Sequence, residues 1–318
     1  MLSTMKNEAN IKAKSRERSE SGKLSVYLQN RYTIKTAKSY GREIEMFISN
    51  YPQADKALYK DLIHYIGTLR NRYSNAKTLN RIVSSMKVYY DFLNYTGQRK
   101  DNPSKAIRLR DKQSRDIQLQ DLFTSEELEN LLNRKERYNA LEYRNKVLMS
   151  LLIYQALKPT EIASITLDEI NLSAATIYIK GSGKNNSREL SLKPNQILLF
   201  HQYQSEIRPK LSPDSIGTKS RSIAGLTEFF ILGHRGNPMT AEDITKHVKR
   251  SFKGLYIPRK VNCQTIRQSV ITNLLKAGND LRVVQVFAGH KYPGATERYK
   301  QTNVEALQTA VAQYHPMR

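Results

Sequence analysis

The sequence predicts a mainly α protein of the α+β class, with a helical N-terminal domain and a larger helical C-terminal domain that carries a small antiparallel sheet. Apolar residues recur at helical spacing through most of the 318-residue chain. Alternating apolar and polar residues flank a turn rich in Gly and Asn, which is the pattern of a β-hairpin. A basic segment with Pro103 separates the two helical regions, and the length suffices for two domains.

The N-terminal domain is expected to span residues 23–98. Helical spacing is clear in the stretches TIKTAKSYGREIEMFISNY and ADKALYKDLIHYIGTLRNRY. A third helix is predicted to begin at Ser74 or Asn75, which are both good N-cap residues, and to end at Gly97. Three basic residues recur along the side of this helix that is expected to face solvent: Lys77, Arg81 and Lys87.

Basic segments flank this domain on both sides. Residues 1–22 are polar and lack the apolar segment of a secretory signal, so they predict either a disordered end or a tail that contacts phosphates. Residues 99–120 hold seven Lys or Arg against three Asp, which predicts an inter-domain linker. This linker is either a strap along a polyanion, with Arg108 and Arg110 as contacts, or an unstructured hinge.

The second domain is expected to span residues 121–318. Thr124 and Glu127 have the spacing of a capping box, and YRNKVLMSLLIYQAL predicts a buried helix. The stretch ATIYIKGSGKNNSRELSL predicts the β-hairpin. A short apolar strand, a helix capped at Thr240 and two helices that meet at Gly278 follow. The stretch NVEALQTAVAQYHPMR predicts a short amphipathic helix at the C-terminus.

The charge balance indicates the class of binding partner. The chain has 52 Lys and Arg against 29 Asp and Glu, a formal net charge of +23. Such an excess favours a polyanion, because neutralised phosphates release counterions, and we expect double-stranded DNA as the partner. The alternative is a basic surface that is merely well solvated.

The sequence shows no pattern typical of a disulfide-bonded, metal-binding, nucleotide-binding or membrane protein. Cys263 is the single cysteine, so no internal disulfide forms and a reducing compartment, such as a cytoplasm, is expected. The histidines show no metal-ligand spacing with it, and no glycine-rich phosphate loop occurs. No apolar run approaches the roughly 20 residues of a membrane span. We therefore expect no metal, no cofactor, no small-molecule substrate and no membrane contact.

Four motifs in order resemble the tyrosine recombinases, the phage-integrase and Xer family. That family has a Gly-Leu-Arg-x-Ser-Glu turn, a lysine in a β-hairpin, a His-x-Leu-Arg helix start, and Leu-Gly-His with a tyrosine nine residues later. This chain has ALKPTE, the hairpin IYIKGSGKNNSRELSL, the start QTIR, and FAGH followed by ERY. Arg267 lies 23 residues before His290, and Tyr299 lies nine residues after it.

The resemblance implies a chemistry and an assembly. Tyr299 would attack a DNA phosphodiester and form a 3′-phosphotyrosine link, which retains the bond energy without ATP. Arg267 and His290 would stabilise the charge on the phosphate oxygens. Glu161 is expected to orient local structure. The family further implies that the helical N-terminal segment is a core-binding (SAM-like) domain, that the C-terminal helix docks on a neighbouring subunit, and that a tetramer forms on two DNA sites.

The chain departs from the family pattern at three places. Lys158 stands where the family has its first arginine, which keeps the charge but loses the planar fork. Gln264 replaces the first histidine and can donate a hydrogen bond without shuttling a proton. The hairpin lysine aligns with Ser182, between Lys180 and Lys184. Either lysine could protonate the leaving oxygen, and Lys184 is the favoured candidate.

These departures leave alternatives open. The main hypothesis is an active site-specific recombinase, acting in integration, excision or transposition of a mobile element or in resolution of replicons. The second is a DNA-binding or accessory protein of the same fold that does not cleave. A relaxation activity like that of a type IB topoisomerase is a minor alternative. Tyr299 favours the enzyme, whereas Lys158 and Gln264 favour the binding protein.

Overall fold

The computed structural model of the protein describes residues 22–111, 121–133, 139–183, 185–211, 228–256 and 258–300. Two compact units divide the chain, Met1–Arg115 and Asp116–Arg318. Four sequence predictions fall wholly or partly outside the described residues: the basic tail except for Gly22, residues 112–120 of the linker, the hairpin residue Lys184, and the helix in NVEALQTAVAQYHPMR.

The first unit is helical, as the sequence predicts. Its helices are α1 (residues 22–31), α2 (Ile34–Asn50), α3 (Tyr59–Arg72) and α4 (Ala76–Tyr95). Asn75 is the N-cap of α4, and its Oδ1 accepts a hydrogen bond from the N–H of Lys77 at 2.9 Å. Phe47 and Tyr90 are fully buried in the core, and the Tyr90 hydroxyl donates to the Ala54 carbonyl at 2.7 Å.

The predicted linker differs from expectation in its first half. Residues 99–111 pack onto the first unit, where Ile107 is only 2% exposed. The Arg99 guanidinium donates to the carbonyls of Asp55 and Ala57 at 2.8 and 2.9 Å. The sequence predicted a strap along a polyanion or an unstructured hinge, but Ile107 is buried against the helices of the first unit and Leu109 is half-buried there. The remaining residues of that segment, 112–120, lie outside the described part of the chain.

The second unit is mostly helical with one small sheet, so the predicted fold class is confirmed. Its helices are α5 (Ser125–Asn130), α6 (Asn139–Tyr154), α7 (Pro159–Ser164), α8 (Pro194–Gln202), α9 (Ala241–Ser251), α10 (Cys263–Lys276), α11 (Leu281–Ala288) and α12 (Gly294–Lys300). Its antiparallel sheet has the order β1 (Ile170–Asn171), β2 (Thr176–Ile179) and β3 (Arg188–Ser191). The β2–β3 pair is the predicted hairpin, and β1 is an additional strand.

Local sequence signals set the ends of several elements in this unit. The capping box is present, since Thr124 N–H donates to Glu127 Oε2 at 2.9 Å and Glu127 N–H to Thr124 Oγ1 at 3.2 Å. Gly278 has a φ of +85° between α10 and α11, where the sequence predicts the break. The predicted strand in TEFFILG is reduced to isolated bridges, Thr166 to Phe229 and Leu232 to Pro238. None of the described helices is long and apolar enough to cross a bilayer.

Candidate active site

Arg267 is buried at the centre of the candidate active site. The side chain of Asn262 caps the first turn of α10, and Arg267 follows one turn later with 3% exposure. Its guanidinium donates to two carbonyls. One is that of Ala156, just before α7, and the other is that of Ala288 at the end of α11, at 2.6 Å. One side chain thus joins three helices of the second unit.

Ala156 has an unusual backbone at this position. Its φ is +49°, in the left-handed region that costs a residue with a Cβ about 1 kcal/mol or more. The family's Gly-Leu-Arg pattern has glycine here, whereas this chain has alanine with the same need for a positive φ. In this conformation the carbonyl of Ala156 accepts a hydrogen bond from the Arg267 guanidinium.

His290 lies against Arg267 and is fixed at both ring nitrogens. Its Nε2 is 3.1 Å from Arg267 Nη2, and its Nδ1 is 2.9 Å from the hydroxyl of Thr296. Because a guanidinium has only donors, Nε2 must accept, and the proton of the neutral ring therefore sits on Nδ1 and faces Thr296. Gln285 holds the backbone, accepting from the His290 N–H and donating to its carbonyl.

Burial keeps the imidazole of His290 neutral. Loss of water around the ring, together with the charges of Arg267, Lys158 and Arg188, lowers its pKa from 6.5 to about 4, while Glu161 acts in the opposite direction. In the free protein Nε2 is therefore an acceptor for Arg267, and it could donate to another group only if the ring were protonated and this contact with Arg267 were broken.

Tyr299 lies beside His290 on α12. The two rings are nearly parallel, 15° apart, with centroids separated by 6.1 Å. Tyr299 is 8% exposed and packs with Ile271, Val284 and Ala288. Burial raises the pKa of the phenol, and the nearby Arg267 opposes this rise. The predicted nucleophile is thus buried and protonated in the free protein.

Lys158 joins the first motif to the tip of the hairpin. Its N–H donates to Glu161 Oε2 at 2.9 Å, which begins α7, and its Nζ donates to Asn185 Oδ1 at 2.5 Å. Asn185 also forms a bridge to His290, and the next N–H, of Asn186, donates to the Gly289 carbonyl at 3.1 Å. The hairpin tip is therefore held against the candidate site.

The two candidate lysines of the hairpin differ in position. Lys180 Nζ forms an ion pair with Glu169 Oε1 at 2.9 Å. Ser182, the gap-free equivalent of the family's lysine, donates its N–H to the Asn185 carbonyl at 2.8 Å within the turn. Lys184 lies outside the described residues. Because the carboxylate already holds Lys180, Lys184 stays the favoured prediction for the general acid.

Arg188 and Glu161 form a buried ion pair that sequence reasoning missed. The pair is bidentate, with both nitrogen–oxygen distances at 3.1 Å, and both side chains are almost fully buried. Burial opposes ionisation of Glu161, but the Arg188 guanidinium holds its pKa below the usual value. Arg188 alternates with Leu190 and Leu192 along β3, all facing inward. That period of two was the available signal for an inward arginine.

Gln264 is separate from this hydrogen-bonded group. It lies at the start of α10 and its side chain is exposed. Within the described part of the chain, that side chain makes no hydrogen bond to Arg267, His290, Tyr299 or Lys158. Its predicted role as a donor stays a prediction. The described residues also contain no group of three or more His, Cys, Asp or Glu that could hold a metal ion.

The five predicted DNA contacts lie on the first unit. Lys77, Arg81, Arg108 and Arg110 are exposed, and Lys87 is half-buried. The Arg81 guanidinium pairs with Glu43 across α2 and α4, so part of its charge is already compensated. These contacts stay predictions.

Two family profiles match the chain. The profile of the "Phage integrase family" matches residues 121–306, which is more than half of the chain. The chain belongs to the phage integrase family. The profile "Phage integrase, N-terminal SAM-like domain" matches residues 25–97, so the resemblance stated from the motifs is confirmed.

Curated relatives cover nearly the whole chain. The "Tyrosine recombinase XerD" of Listeria monocytogenes serotype 4b (strain F2365) is 26% identical over 291 residues, covering 89% of this chain and 93% of the relative. The "Tyrosine recombinase XerC" of Listeria monocytogenes serovar 1/2a (strain ATCC BAA-679 / EGD-e) is 25% identical over 300 residues, with 92% and 95% covered.

Solved structures share the fold at low identity. The XerH site-specific recombinase bound to a palindromic difH substrate has a TM-score of 0.67 at 19% identity, covering 87% of this chain and 79% of that one. The Tn1549 transposon integrase in complex with a circular intermediate DNA has a TM-score of 0.65 at 17% identity, with 91% and 98% covered.

Substitution of Gly289 tests how tightly the site is packed. Gly289 has a φ of +66°, and a Cβ there would overlap the Arg188 guanidinium. Gly278 has a similar φ of +85° but open space around it. Gly278→Ala should cost about 1–2 kcal/mol from backbone strain, and Gly289→Ala a further ~1–3 kcal/mol from overpacking. Urea denaturation of both variants measures the difference, and equal losses would contradict the packing.

The ionisation of His290 can be measured in the free protein. With a pKa of about 4 in the folded state and 6.5 when unfolded, the unfolded chain binds the proton more readily between these values. The contribution of His290 to stability is therefore lost as the pH falls from about 6.5 toward 4. NMR of histidine-labelled protein, assigned with His290→Gln, should show no titration of His290 between pH 8 and 5.5. An inflection near pH 6.5 would refute the buried neutral ring.

Proposed function

We propose that the chain is a site-specific DNA recombinase that cuts and rejoins duplex DNA through Tyr299. The observation that carries this proposal is the stacking of Tyr299 on His290, whose other edge meets the buried Arg267. The catalytic family profile and relatives named as tyrosine recombinases support the same activity. A nucleophile, a titratable ring and a fixed cation are then side by side.

The proposed reaction is a balanced phosphoryl transfer. The phenol oxygen of Tyr299 forms a bond to phosphorus as the bond to the 5′-oxygen breaks, which leaves a 3′-phosphotyrosine and a 5′-hydroxyl. The phenol loses one proton and the leaving oxygen gains one. The reverse attack by a 5′-hydroxyl rejoins a strand, and because the phosphodiester energy is retained no ATP is required.

Positive charge at the site stabilises the transition state. Arg267 and Lys158 approach the phosphate from α10 and α7, and His290 adds a donor once the phosphate favours its protonated form. Lys158 acts as a point charge and lacks the fork of an arginine. Lys184, which precedes Asn185 in the sequence, is the proposed donor of the proton to the leaving oxygen. Gln264 adds a neutral donor at the start of α10.

Duplex DNA is the proposed partner, and the net charge of +23 supports it. The similar XerH and Tn1549 proteins were solved with DNA bound. The contacts of this chain would come from the basic residues of the first unit: Lys77, Arg81, Lys87, Arg108 and Arg110. The proposed complex is a tetramer on two DNA sites, acting in the cytoplasm on the nucleoid, without metal or nucleotide. Integration, excision and resolution are all compatible with this chemistry.

A DNA-binding protein without strand cleavage is the second candidate, since Lys158 and Gln264 depart from the family pattern. The comparisons favour the enzyme, because the profile match covers the motif region and the named relatives are recombinases. A nicked duplex that releases a short product traps the covalent intermediate. A covalent adduct with the parent protein supports the recombinase proposal. If the protein binds the duplex but forms no adduct, the DNA-binding protein without strand cleavage becomes the better candidate.

Tyr299→Phe removes only the attacking oxygen. The variant should form no covalent adduct on nicked DNA, while its affinity for intact duplex should change less than about twofold, because the phosphate contacts are elsewhere. Gel analysis of the adduct beside a binding titration gives both values. The matched control is Tyr292→Phe, an exposed tyrosine in the loop before α12, which should cleave like the parent. Adduct formation by the Tyr299 variant would assign the nucleophile elsewhere.

Substitution of Lys158 tests whether it replaces the family's arginine. Lys158→Ala should lower the rate of adduct formation by roughly 10²–10³, the usual cost of one transition-state donor. Lys158→Arg should keep or raise the rate, since a fork matches two phosphate oxygens. DNA affinity should change much less in both variants. If Lys158→Ala cleaves at the parent rate, Lys158 has no part in the chemistry.

A further inference from the structure

Glu161 is a buried carboxylate that lies among basic side chains of the candidate site. Glu161 is surrounded by Lys158 on its own helix, Arg188 on β3, Arg267 on α10 and His290 after α11. Arg188 takes both of its oxygens, at 3.1 Å each. In a buried environment an ionised carboxylate must be paired, and the nearby cations compete for that place.

Lys158 is close enough to compete. Its own N–H already donates to Glu161 Oε2 at 2.9 Å, and its Nζ donates to Asn185 Oδ1 at 2.5 Å. The amide of the same Asn185 reaches Glu161 Oε1 at 3.4 Å. One amide group therefore spans the distance between the ammonium and the carboxylate. A lysine ammonium is a point charge on a flexible stem, so it can follow the stronger partner.

We propose that Arg188 is a positioning residue of strand cleavage: its guanidinium occupies both oxygens of Glu161 and so keeps the carboxylate from drawing the Lys158 ammonium away from the scissile phosphate. This inference rests on the proposed function and deepens it. Arg188 is needed for this purpose because residue 158 is a lysine, whose flexible side chain could otherwise carry its ammonium to Glu161.

The packing around Arg188 supports a fixed position. Its side chain is 2% exposed, and the backbone of Gly289 lies directly on the guanidinium. Arg188 Nε is buried and has no hydrogen-bond partner in the described part of the chain. A buried nitrogen without a partner costs free energy, so other contacts must hold the Arg188 side chain in place. Here these contacts are its two hydrogen bonds to Glu161.

The first test is the rate of adduct formation on a nicked duplex, whose cleavage site is selected from random sequence with the parent protein. Arg188→Gln leaves Glu161 ionised and lets it recruit Lys158, so the rate at pH 8 should fall toward that of Lys158→Ala. Without its arginine, the buried Glu161 becomes protonated more easily. The ratio of variant to parent rate should therefore recover as the pH falls from 8 to 6.

Adding Glu161→Gln to Arg188→Gln removes the competing carboxylate. The double variant should regain most of the parent rate at pH 8 and lose the recovery at low pH. The matched control is Arg259→Gln, which breaks the bidentate pair with Glu127 in the same unit, away from the site. The rate of adduct formation by Arg259→Gln, divided by the rate of the parent, should be the same at every pH. A loss in Arg188→Gln that is equal at every pH, and is not recovered in the double variant, would mean a purely structural role and overturn the proposal.

A second measurement does not depend on activity. Lysines carrying ¹³C-methyl groups report their own ionisation by NMR, and Lys158→Arg identifies the signal of Lys158. Arg188→Gln should raise the pKa of Lys158, because a carboxylate then faces it, and the double variant should not. An unchanged Lys158 in Arg188→Gln overturns the positioning role even if the parent forms no adduct. If the parent protein forms no adduct but the pKa of Lys158 rises in Arg188→Gln as expected, only the proposed function is overturned.

Discussion

The buried guanidinium of Arg267 is the interaction on which the candidate site depends. It donates to carbonyls at the start of α7 and at the end of α11 and faces His290, so three separate motifs meet on one side chain. A charge that is removed from water needs such partners, because an unpaired one would cost several kcal/mol. Ala156, whose carbonyl accepts from this guanidinium, has a left-handed backbone, which is consistent with this demand.

The electrostatics of the site follow from one carboxylate among several cations. Arg188 pairs with Glu161. Burial, and after it the charges of Arg267, Lys158 and Arg188, lowers the pKa of His290, whereas Arg267 and Arg298 offset part of the rise that burial causes in the pKa of Tyr299. A site with excess positive charge is suited to a phosphodiester, which adds the missing negative charge. In the free protein His290 and Tyr299 are therefore neutral, beside the charged Arg267.

The departures from the family pattern are accommodated locally. Lys158 keeps the charge of the arginine and gains an amide partner from the hairpin tip, Asn185. Ala156 adopts the glycine conformation at a cost of about 1 kcal/mol. Gln264, by contrast, remains exposed at the helix start and outside the hydrogen-bonded group. Lys158 thus keeps a positive charge and Ala156 keeps the left-handed backbone at the centre of the site, whereas the side chain of Gln264 makes no hydrogen bond to that group within the described part of the chain.

The sequence by itself determined the mainly helical fold, the hairpin and the spacing of Arg267, His290 and Tyr299, because these follow from local periodicity and ordered motifs. Only the tertiary structure decided which groups touch. The Arg188–Glu161 pair joins residues 27 positions apart. Residues 99–111 read as part of a basic linker, but Ile107 is buried in the core of the first unit and Leu109 packs against it. Local patterns report what a segment prefers, whereas burial and pairing depend on the segments folded against it.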